Sequence, residues 1–295
     1  MTATIIDGRQ IAEQIRLEVK QDTERLRRER DITPGLAFIL VGENPASQVY
    51  VRSKGKACDE MGFYSVTEKL HPGISQQALL DLIEKFNCDV KIHGILVQLP
   101  LPKHIDENKV IEAIDYRKDV DGFHPVNVGR LVIGQDCLRP CTPAGVQELL
   151  IRSGNDPGGK HVVVVGRSNI VGKPVLNILL QKKDGANAVV TVVHTGGPDI
   201  ARFTKQADIV VAAMGKAEVI TGEMLKPGCV VIDVGINRTP DPTSKNGSRL
   251  VGDVHFPSAS QVASAITPVP GGVGPMTIAM LMKNTMRAAA GSIYH

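Results

Sequence analysis

The stretch that most limits the folds open to this chain is residues 162–174, VVVVGRSNIVGKP. Four consecutive valines have the length and character of a strand buried on both faces. Gly166 ends the run, Gly172 follows it, and Pro174 stands where a fixed φ and a missing N–H suit the first turn of a helix. Strand, glycine-bounded turn and helix start together make an anion site. Free backbone N–H groups and the helix dipole point at the anion, and the glycines let backbone approach closely. The spacing is not G-x-G-x-x-G, so two readings stay open: a dinucleotide site and an ordinary strand-to-helix turn.

The rest of the second half alternates in the same way. Strand patterns fall at 162–165, 188–193, 209–213 and 230–234, and helical patterns at 175–181 and 200–206. Repeated β–α alternation implies a parallel sheet with helices on both faces and ligands at the carboxyl ends of the strands. Gly166, His194, Met214, Gly215 and Gly235 fall at those ends.

The first half is also α/β. Asp7 is placed to cap a helix whose Ile11, Ile15 and Val19 form an apolar stripe, broken by Pro34-Gly35. Strands are expected at 36–41, 63–70 and 92–99, the last ended by Pro100 and Pro102. Helices are expected at 46–61, stopped by Gly62, at 75–86 with Leu79, Leu80 and Ile83 inward, at 107–114 and at 142–152. Residues 115–130 read as irregular, 155–160 as a linker and 239–249 as a surface loop. A last helix starts near Pro275; its residues do not fix which half it packs on.

A chain of 295 residues, 42% hydrophobic and 22% charged, has the makeup of a soluble globular protein with room for two domains. Net charge is only +3. The one basic cluster, residues 25–30 (RLRRER), lies on a helical pattern and reads as a solvated face. Aromatics at 3% are too few for a base-stacking surface, so nucleic acid is not an expected partner. Cys58, Cys88, Cys137, Cys141 and Cys229 make an odd set, which argues for reduced thiols. Cys137 and Cys141 lack a second pair or a nearby His, and no H-E-x-x-H occurs, so no metal is expected. The N-terminal MTATIIDGRQ has no signal pattern and no apolar run reaches the length of a span. The expectation is a soluble cytoplasmic protein with no membrane partner.

Several residues carry chemistry. Tyr50 and Lys54 are four apart on the second helix and share a face. A phenol beside an amine can orient a substrate and move protons; the other reading is a core-edge tyrosine and a solvated lysine. Short-chain dehydrogenases use the same spacing, but there the pair follows the dinucleotide motif, whereas here it precedes it. Gln98 ends the third strand, where a substrate-facing amide would stand; a glutamine satisfied by loop backbone is the alternative. Asp119 and Asp121 flank Val120 and share a side if that segment is extended, for a polar heterocycle or for loop capping. Residues 267–277, TPVPGGVGPMT, hold three glycines and three prolines. This density fixes the backbone and favours a ligand loop over a plain turn.

Taken together, these motifs resemble the bifunctional methylenetetrahydrofolate dehydrogenase/methenyltetrahydrofolate cyclohydrolase family over nearly the whole chain. VGENPASQVYVRSKGKACDEMG, GILVQLPLP, KDVDGFHPVNVGRL, CTPAGV, VVVGRSNIVGKP, VIDVGIN and ITPVPGGVGPMT follow in that order. The resemblance implies two α/β lobes. Residues 1–142 with 273–295 would bind folate, the terminal helix packing back on the N-terminal lobe. Residues 143–272 would form a Rossmann-like, mostly parallel sheet for NADP. It implies oxidation of 5,10-methylenetetrahydrofolate to the methenyl form, hydrolysis to 10-formyltetrahydrofolate, and a homodimer. The alternatives are a monofunctional dehydrogenase of the same fold and a non-catalytic NADP- or folate-binding module; intact Tyr50, Lys54, Gln98 and Asp121 speak against both.

The resemblance makes Lys54 the main cyclohydrolase residue and Gln98 its partner. Tyr50 would stack on the folate and Asp121 hold the pterin ring. Leu99 and the loop residues Pro270, Gly271 and Gly272 join the substrate side. Gly166, Arg167, Ser168, Ile170 and Gly172 would hold the cofactor from the first turn, and His194, Thr195 and Ile236 from later strand ends. NAD sites usually place an acid at the end of the second strand for the ribose 2′-OH. Here that strand ends in Val193-His194-Thr195, and Arg167 is placed to pair with a 2′-phosphate. NADP is therefore expected, with NAD as the weaker alternative. Thr195, followed by Gly196-Gly197-Pro198, stands where many relatives carry a basic residue or serine.

Overall fold

Apolar β-branched runs become buried strands, and the segments between them become helices. The computed structural model describes residues 2–197, 199–243 and 247–294. Along the first half the elements are β1 (Thr4–Ile5), α1 (Gly8–Arg30), β2 (Gly35–Val41), α2 (Pro45–Met61), β3 (Tyr64–Leu70), α3 (Gln76–Cys88), β4 (Gly94–Val97), α4 (Glu107–Ala113), α5 (Pro125–Val132) and α6 (Cys141–Arg152). The second half runs β5 (His161–Val165), α7 (Gly172–Leu179), β6 (Val189–Val193), α8 (Ala201–Thr204), β7 (Ile209–Ala212), β8 (Val230–Asp233), β9 (Asn237–Pro240), β10 (Ser248–Val251), α9 (Phe256–Ala259), β11 (Ala265–Ile266) and α10 (Val273–Ala290), with one 3-10 turn at Gly222–Met224. The chain divides into two units, Glu13–Cys141 with Ile278–His295, and Met1–Ala12 with Thr142–Thr277.

The first of these units holds a three-stranded parallel sheet in the order β3-β2-β4. Every residue of β2 is buried. The run 92–99 gives a shorter strand than its apolar length suggests. Only Gly94–Val97 pairs with β2, although the Gln98 N–H still reaches the Ile39 carbonyl at 2.9 Å. The α2 helix stops at Gly62, whose φ of +73° is a left-handed conformation that glycine adopts without a Cβ clash. Ser75 caps α3, its hydroxyl accepting from the Ala78 N–H at 3.2 Å. A helix the sequence reading lacked, α5, replaces part of the irregular segment. Pro125 sits in its first turn and His124 Nδ1 accepts the Val126 N–H at 3.1 Å. The basic cluster at 25–30 caps other helices: Arg27 donates to the Gly62 carbonyl at 2.7 Å and Arg30 to the Ala290 carbonyl at 2.6 Å, placing cations at two helix C-termini. The terminal helix from Ile278 onward belongs to this unit, as the family resemblance implied, while its first turn is grouped with the other. The Cys58 thiol meets Met282 Sδ at 3.9 Å, and Asn284 Nδ2 donates to the carbonyls of Val120 (2.9 Å) and Arg139 (2.8 Å).

The other unit is built on a six-stranded sheet in the order β1-β11-β8-β7-β5-β6, parallel throughout. Its centre is β5, β7 and β8, whose valines and isoleucines are all buried. The sheet is extended by β1 pairing with β11, Thr4 opposite Ala265 and Ile5 opposite Ile266, two strands absent from the sequence reading. Residues 239–249 are not simply a loop. Their ends lie in an antiparallel hairpin in which β9 pairs with β10, Asn237 opposite Val251; residues 244–246 of that stretch lie outside the described residues. The helix expected at 200–206 is the single turn α8.

Candidate functional site

In the unit of Glu13–Cys141, α2 and the end of β4 bring Lys54 and Gln98 together. Lys54 is only 6% exposed, and its Nζ donates to Gln98 Oε1 at 3.1 Å. Gln98 Nε2 in turn donates to the Leu99 carbonyl at 2.8 Å, which turns the amide so that its oxygen faces the lysine. Among the described residues no carboxylate lies within ion-pairing distance of Lys54, so a buried amine is met by a neutral acceptor. One helical turn earlier Tyr50 is 42% exposed, leaving its ring open to a stacking partner.

The two carboxylates of residues 119–121 separate in role. A turn closes here, Gly122 N–H to Asp119 O at 3.0 Å, so the extended alternation does not hold. Asp119 is buried and takes the loop-capping part, accepting from the N–H groups of Gly122 (3.2 Å) and His124 (2.8 Å) and from Asn127 Nδ2 (2.9 Å). Burial pushes its pKa up, against those hydrogen bonds. Asp121 stays half-buried beside the Cys141 thiol. Burial first, then the Asp121 carboxylate, hold that thiol protonated well above the ordinary cysteine range, with Lys54 pulling the other way. Cys141 Sγ also donates to the Val120 carbonyl at 3.3 Å. Sequence reasoning counted Cys141 only as a non-ligand; the motif CTPAGV contains it, but only the fold shows it touching Asp121.

In the unit of Thr142–Thr277, the turn after β5 forms the anion cradle. A Cβ on Gly166 (φ +134°) would sit 2.1 Å from the Ala213 carbonyl oxygen, and one on Gly172 would sit 2.2 Å from the Gly166 carbonyl oxygen. Both positions must be glycine for the helix N-terminus to reach the strand end. Ser168 Oγ accepts the Val171 N–H at 3.1 Å, α7 begins at Gly172 without a side-chain cap, and Ile170 is exposed. Arg167 reaches the turn after β6: its guanidinium lies 3.9 Å from where a Gly196 Cβ would be. There His194 Nδ1 accepts the Gly196 N–H at 3.0 Å, and Thr195 is exposed. Pro198 lies outside the described residues. The nearby acid, Asp199, is exposed, accepts the Ala201 N–H at 2.9 Å on Oδ1 and lines the cavity of this turn. A small cavity of ≈ 100 Å³ opens beside His194, Gly197, Ile200 and Phe203.

The proline-glycine loop belongs to this second unit. Gly271 (φ +113°) lies against Arg9, and the Gly272 carbonyl stands 1.8 Å from where a Gly8 Cβ would be, so the loop with Pro270 is seated on the start of α1. Ile236, 51% exposed, approaches the Gly274 Cβ position at 3.9 Å. Lys54, Gln98, Leu99, Tyr50 and Asp121 thus group in one unit, and the glycine turn, Arg167, His194, Thr195, Ile236 and the loop at 270–272 in the other.

A glycine-cradled helix N-terminus at the carboxyl edge of a parallel sheet, with an arginine beside the second strand's turn, defines a dinucleotide-binding α/β protein. Residues 6–121 match the model of the tetrahydrofolate dehydrogenase/cyclohydrolase catalytic domain, and residues 140–293 that of the NAD(P)-binding domain of the same family. The chain is 60% identical to the bifunctional protein FolD of Moorella thermoacetica, over 98% of this chain and 99% of that one. The bifunctional FolD dehydrogenase/cyclohydrolase from Campylobacter jejuni superposes with a TM-score of 0.92 at 46% identity, covering 98% of this chain and 99% of that chain. The Trypanosoma brucei methylenetetrahydrofolate dehydrogenase-cyclohydrolase, solved with NADP and an inhibitor, gives 0.93 at 42% identity over the full length of both. The chain belongs to the tetrahydrofolate dehydrogenase/cyclohydrolase family.

Proposed function

We propose that this protein oxidises 5,10-methylenetetrahydrofolate to 5,10-methenyltetrahydrofolate with NADP, then hydrolyses the product to 10-formyltetrahydrofolate. The observation that carries the reading is the buried Lys54 Nζ held by the Gln98 amide oxygen at 3.1 Å. The bifunctional relatives, and the NADP held by the trypanosomal one, support both halves of it.

The residues present fit the cofactor, because the space a Cβ would take at Gly166 and Gly172 is already used for close backbone approach. The turn from Gly166 to Gly172 would hold the pyrophosphate on backbone N–H groups, and Arg167 the 2′-phosphate. When bound, NADP supplies the acceptor for the hydride that leaves the methylene carbon. Tyr50 offers its open ring to the folate, and Asp121 accepts the pterin N–H groups. Leu99 joins these substrate contacts.

The methenyl carbon is cationic and needs little further activation. Water attack forms a C–O bond and releases a proton. The C–N5 bond then breaks, N5 gains a proton, and the formyl group stays on N10. Lys54 Nζ is the group that moves these protons, and Gln98 fixes its direction. The folate chemistry is assigned to the unit of Glu13–Cys141 with Ile278–His295 and the cofactor to that of Met1–Ala12 with Thr142–Thr277; the expected bounds of 1–142 with 273–295 and 143–272 shift because β1 pairs with β11 of the six-stranded sheet. The family resemblance read from the sequence suggests a homodimer, to be checked by light scattering. The five free cysteines fit a reducing cytoplasm. Among the described residues no helix is long and apolar enough to cross a membrane.

The test follows methenyl absorbance with methylenetetrahydrofolate and NADP in wild type and Lys54→Met. Wild type should consume the methenyl form faster than it decays spontaneously. The variant should fall to the spontaneous rate, a loss on the order of 10²-fold or more. Persisting catalysed hydrolysis in the variant would remove Lys54 from the mechanism.

A further inference from the structure

The dinucleotide-binding unit buries two carboxylates that the reaction above does not use. Asp233, 3% exposed, ends β8, and Asp253, 0% exposed, follows β10. Each is filled by N–H donors rather than by a cation. Asp253 Oδ2 accepts from the backbone of Met214 at 2.5 Å and Gly215 at 2.9 Å. Its Oδ1 accepts from the Lys216 N–H at 3.0 Å and from Asn237 Nδ2 at 2.9 Å. Asp233 Oδ1 accepts from the N–H groups of Gly235 and Asp253, both at 2.9 Å, and its Oδ2 from Val254 at 2.9 Å. The Asp233 N–H donates to Thr267 Oγ1 at 2.8 Å, below the proline-glycine loop.

These bonds join segments that sequence separates. Residues 214–216 follow the carboxyl end of β7, and 234–236 join the end of β8 to Asn237, the first residue of β9. Asp253 grips both. The glycines record how close the grip is: a Cβ on Gly235 would sit 2.2 Å from Asp253 Oδ1, and one on Gly252 would sit 1.8 Å from Asp233 Oδ2. The β7 turn also backs the anion cradle, since a Cβ on Gly166 would strike Ala213. Loops at carboxyl ends are otherwise the mobile part of such sheets, and charge-assisted N–H bonds in a buried site are the strong kind.

We propose that Asp253, braced by Asp233, is a positioning residue for the dinucleotide: it locks the β7 and β8 turns into one rigid wall of the cofactor site. The inference rests on the NADP reading of this unit. It predicts a selective defect, because hydrolysis of methenyltetrahydrofolate needs no dinucleotide and is assigned to Lys54 and Gln98 in the other unit.

The experiment measures NADP binding by titration calorimetry, and hydrolysis of supplied methenyltetrahydrofolate without cofactor, in wild type, Asp253→Asn and Asn237→Ala. In Asp253→Asn, an amide N–H would face N–H donors. NADP affinity and the NADP KM should weaken on the order of tenfold or more, with hydrolysis unchanged. Asn237→Ala removes one tether, and its NADP affinity should fall by roughly threefold. Unchanged NADP affinity in a folded Asp253→Asn overturns the proposal. If that variant loses hydrolysis too, it has unfolded and Asn237→Ala decides: wild-type affinity overturns the proposal, selective weakening supports it. If wild type itself binds no NADP, the functional reading fails rather than the positioning role.

Discussion

At the residue scale, the buried Asp233 also sets a pH dependence. Burial, opposed by backbone hydrogen bonds and helped by the charge of Asp253, pushes the Asp233 pKa from 3.8 up to about 6. Below the unfolded value both states hold the proton. Between the two values the folded state holds a proton that the unfolded chain has lost, so stability from this group is fully present at low pH and disappears as pH rises through about 6. The shift corresponds to a ceiling of roughly 3 kcal/mol at 1.36 kcal/mol per unit. Carbon NMR of the Asp233 carboxyl should show a titration near pH 6; a midpoint below 4 would contradict the account. The sequence named Lys54 and Gln98 as partners through family motifs, and the fold brings them within hydrogen-bond distance. The partition between Asp119 and Asp121 was not legible there, since it depends on a turn that Gly122 closes.

At the scale of elements, the glycine turn after β5 is the part on which cofactor binding most depends. Gly172→Ala places a methyl carbon 2.2 Å from a carbonyl oxygen, and backbone must move to relieve it. The expected outcome is a loss of NADP affinity on the order of tenfold or more with about 1–3 kcal/mol of stability, while cofactor-free methenyl hydrolysis survives. Affinity and unfolding midpoints both at wild-type values would show that the turn tolerates a Cβ. The central strands of the sheet were legible because β5, β7 and β8 are buried on both faces and read as uninterrupted apolar runs. β1 and β11 were not, being two residues each, too short to show a period. The β9–β10 hairpin alternates half-buried and exposed residues, NRTP against SRLV, and its Pro and Thr content hid it among turn signals. α5 was hidden by Gly129 and by a buried Asn127 on its inner face, although His124-Pro125 is a cap and first-turn signal.

For the whole molecule, sequence motifs predicted that the terminal helix packs on the N-terminal lobe, whereas periodicity did not. α10 exposes little of its surface to solvent, so no face marks its partner; contacts such as Asn284 to Val120 do. The cofactor preference can be read as a property of the entire folded chain, because a ligand that binds only the native state raises its stability by RT ln(1 + [L]/Kd), about 2.7 kcal/mol at a hundredfold excess over Kd. Arg167 stands beside the β6 turn, so a 2′-phosphate there would meet a cation. At equal concentrations NADP should therefore raise the melting temperature of the wild type by several degrees more than NAD, at roughly 2–4 °C per kcal/mol for a chain of this class. In Arg167→Ala the NADP shift should drop to the NAD level, and the NAD shift should stay where it was. A variant that keeps the full NADP shift would move the source of selectivity from Arg167 to the turn at His194 and Thr195.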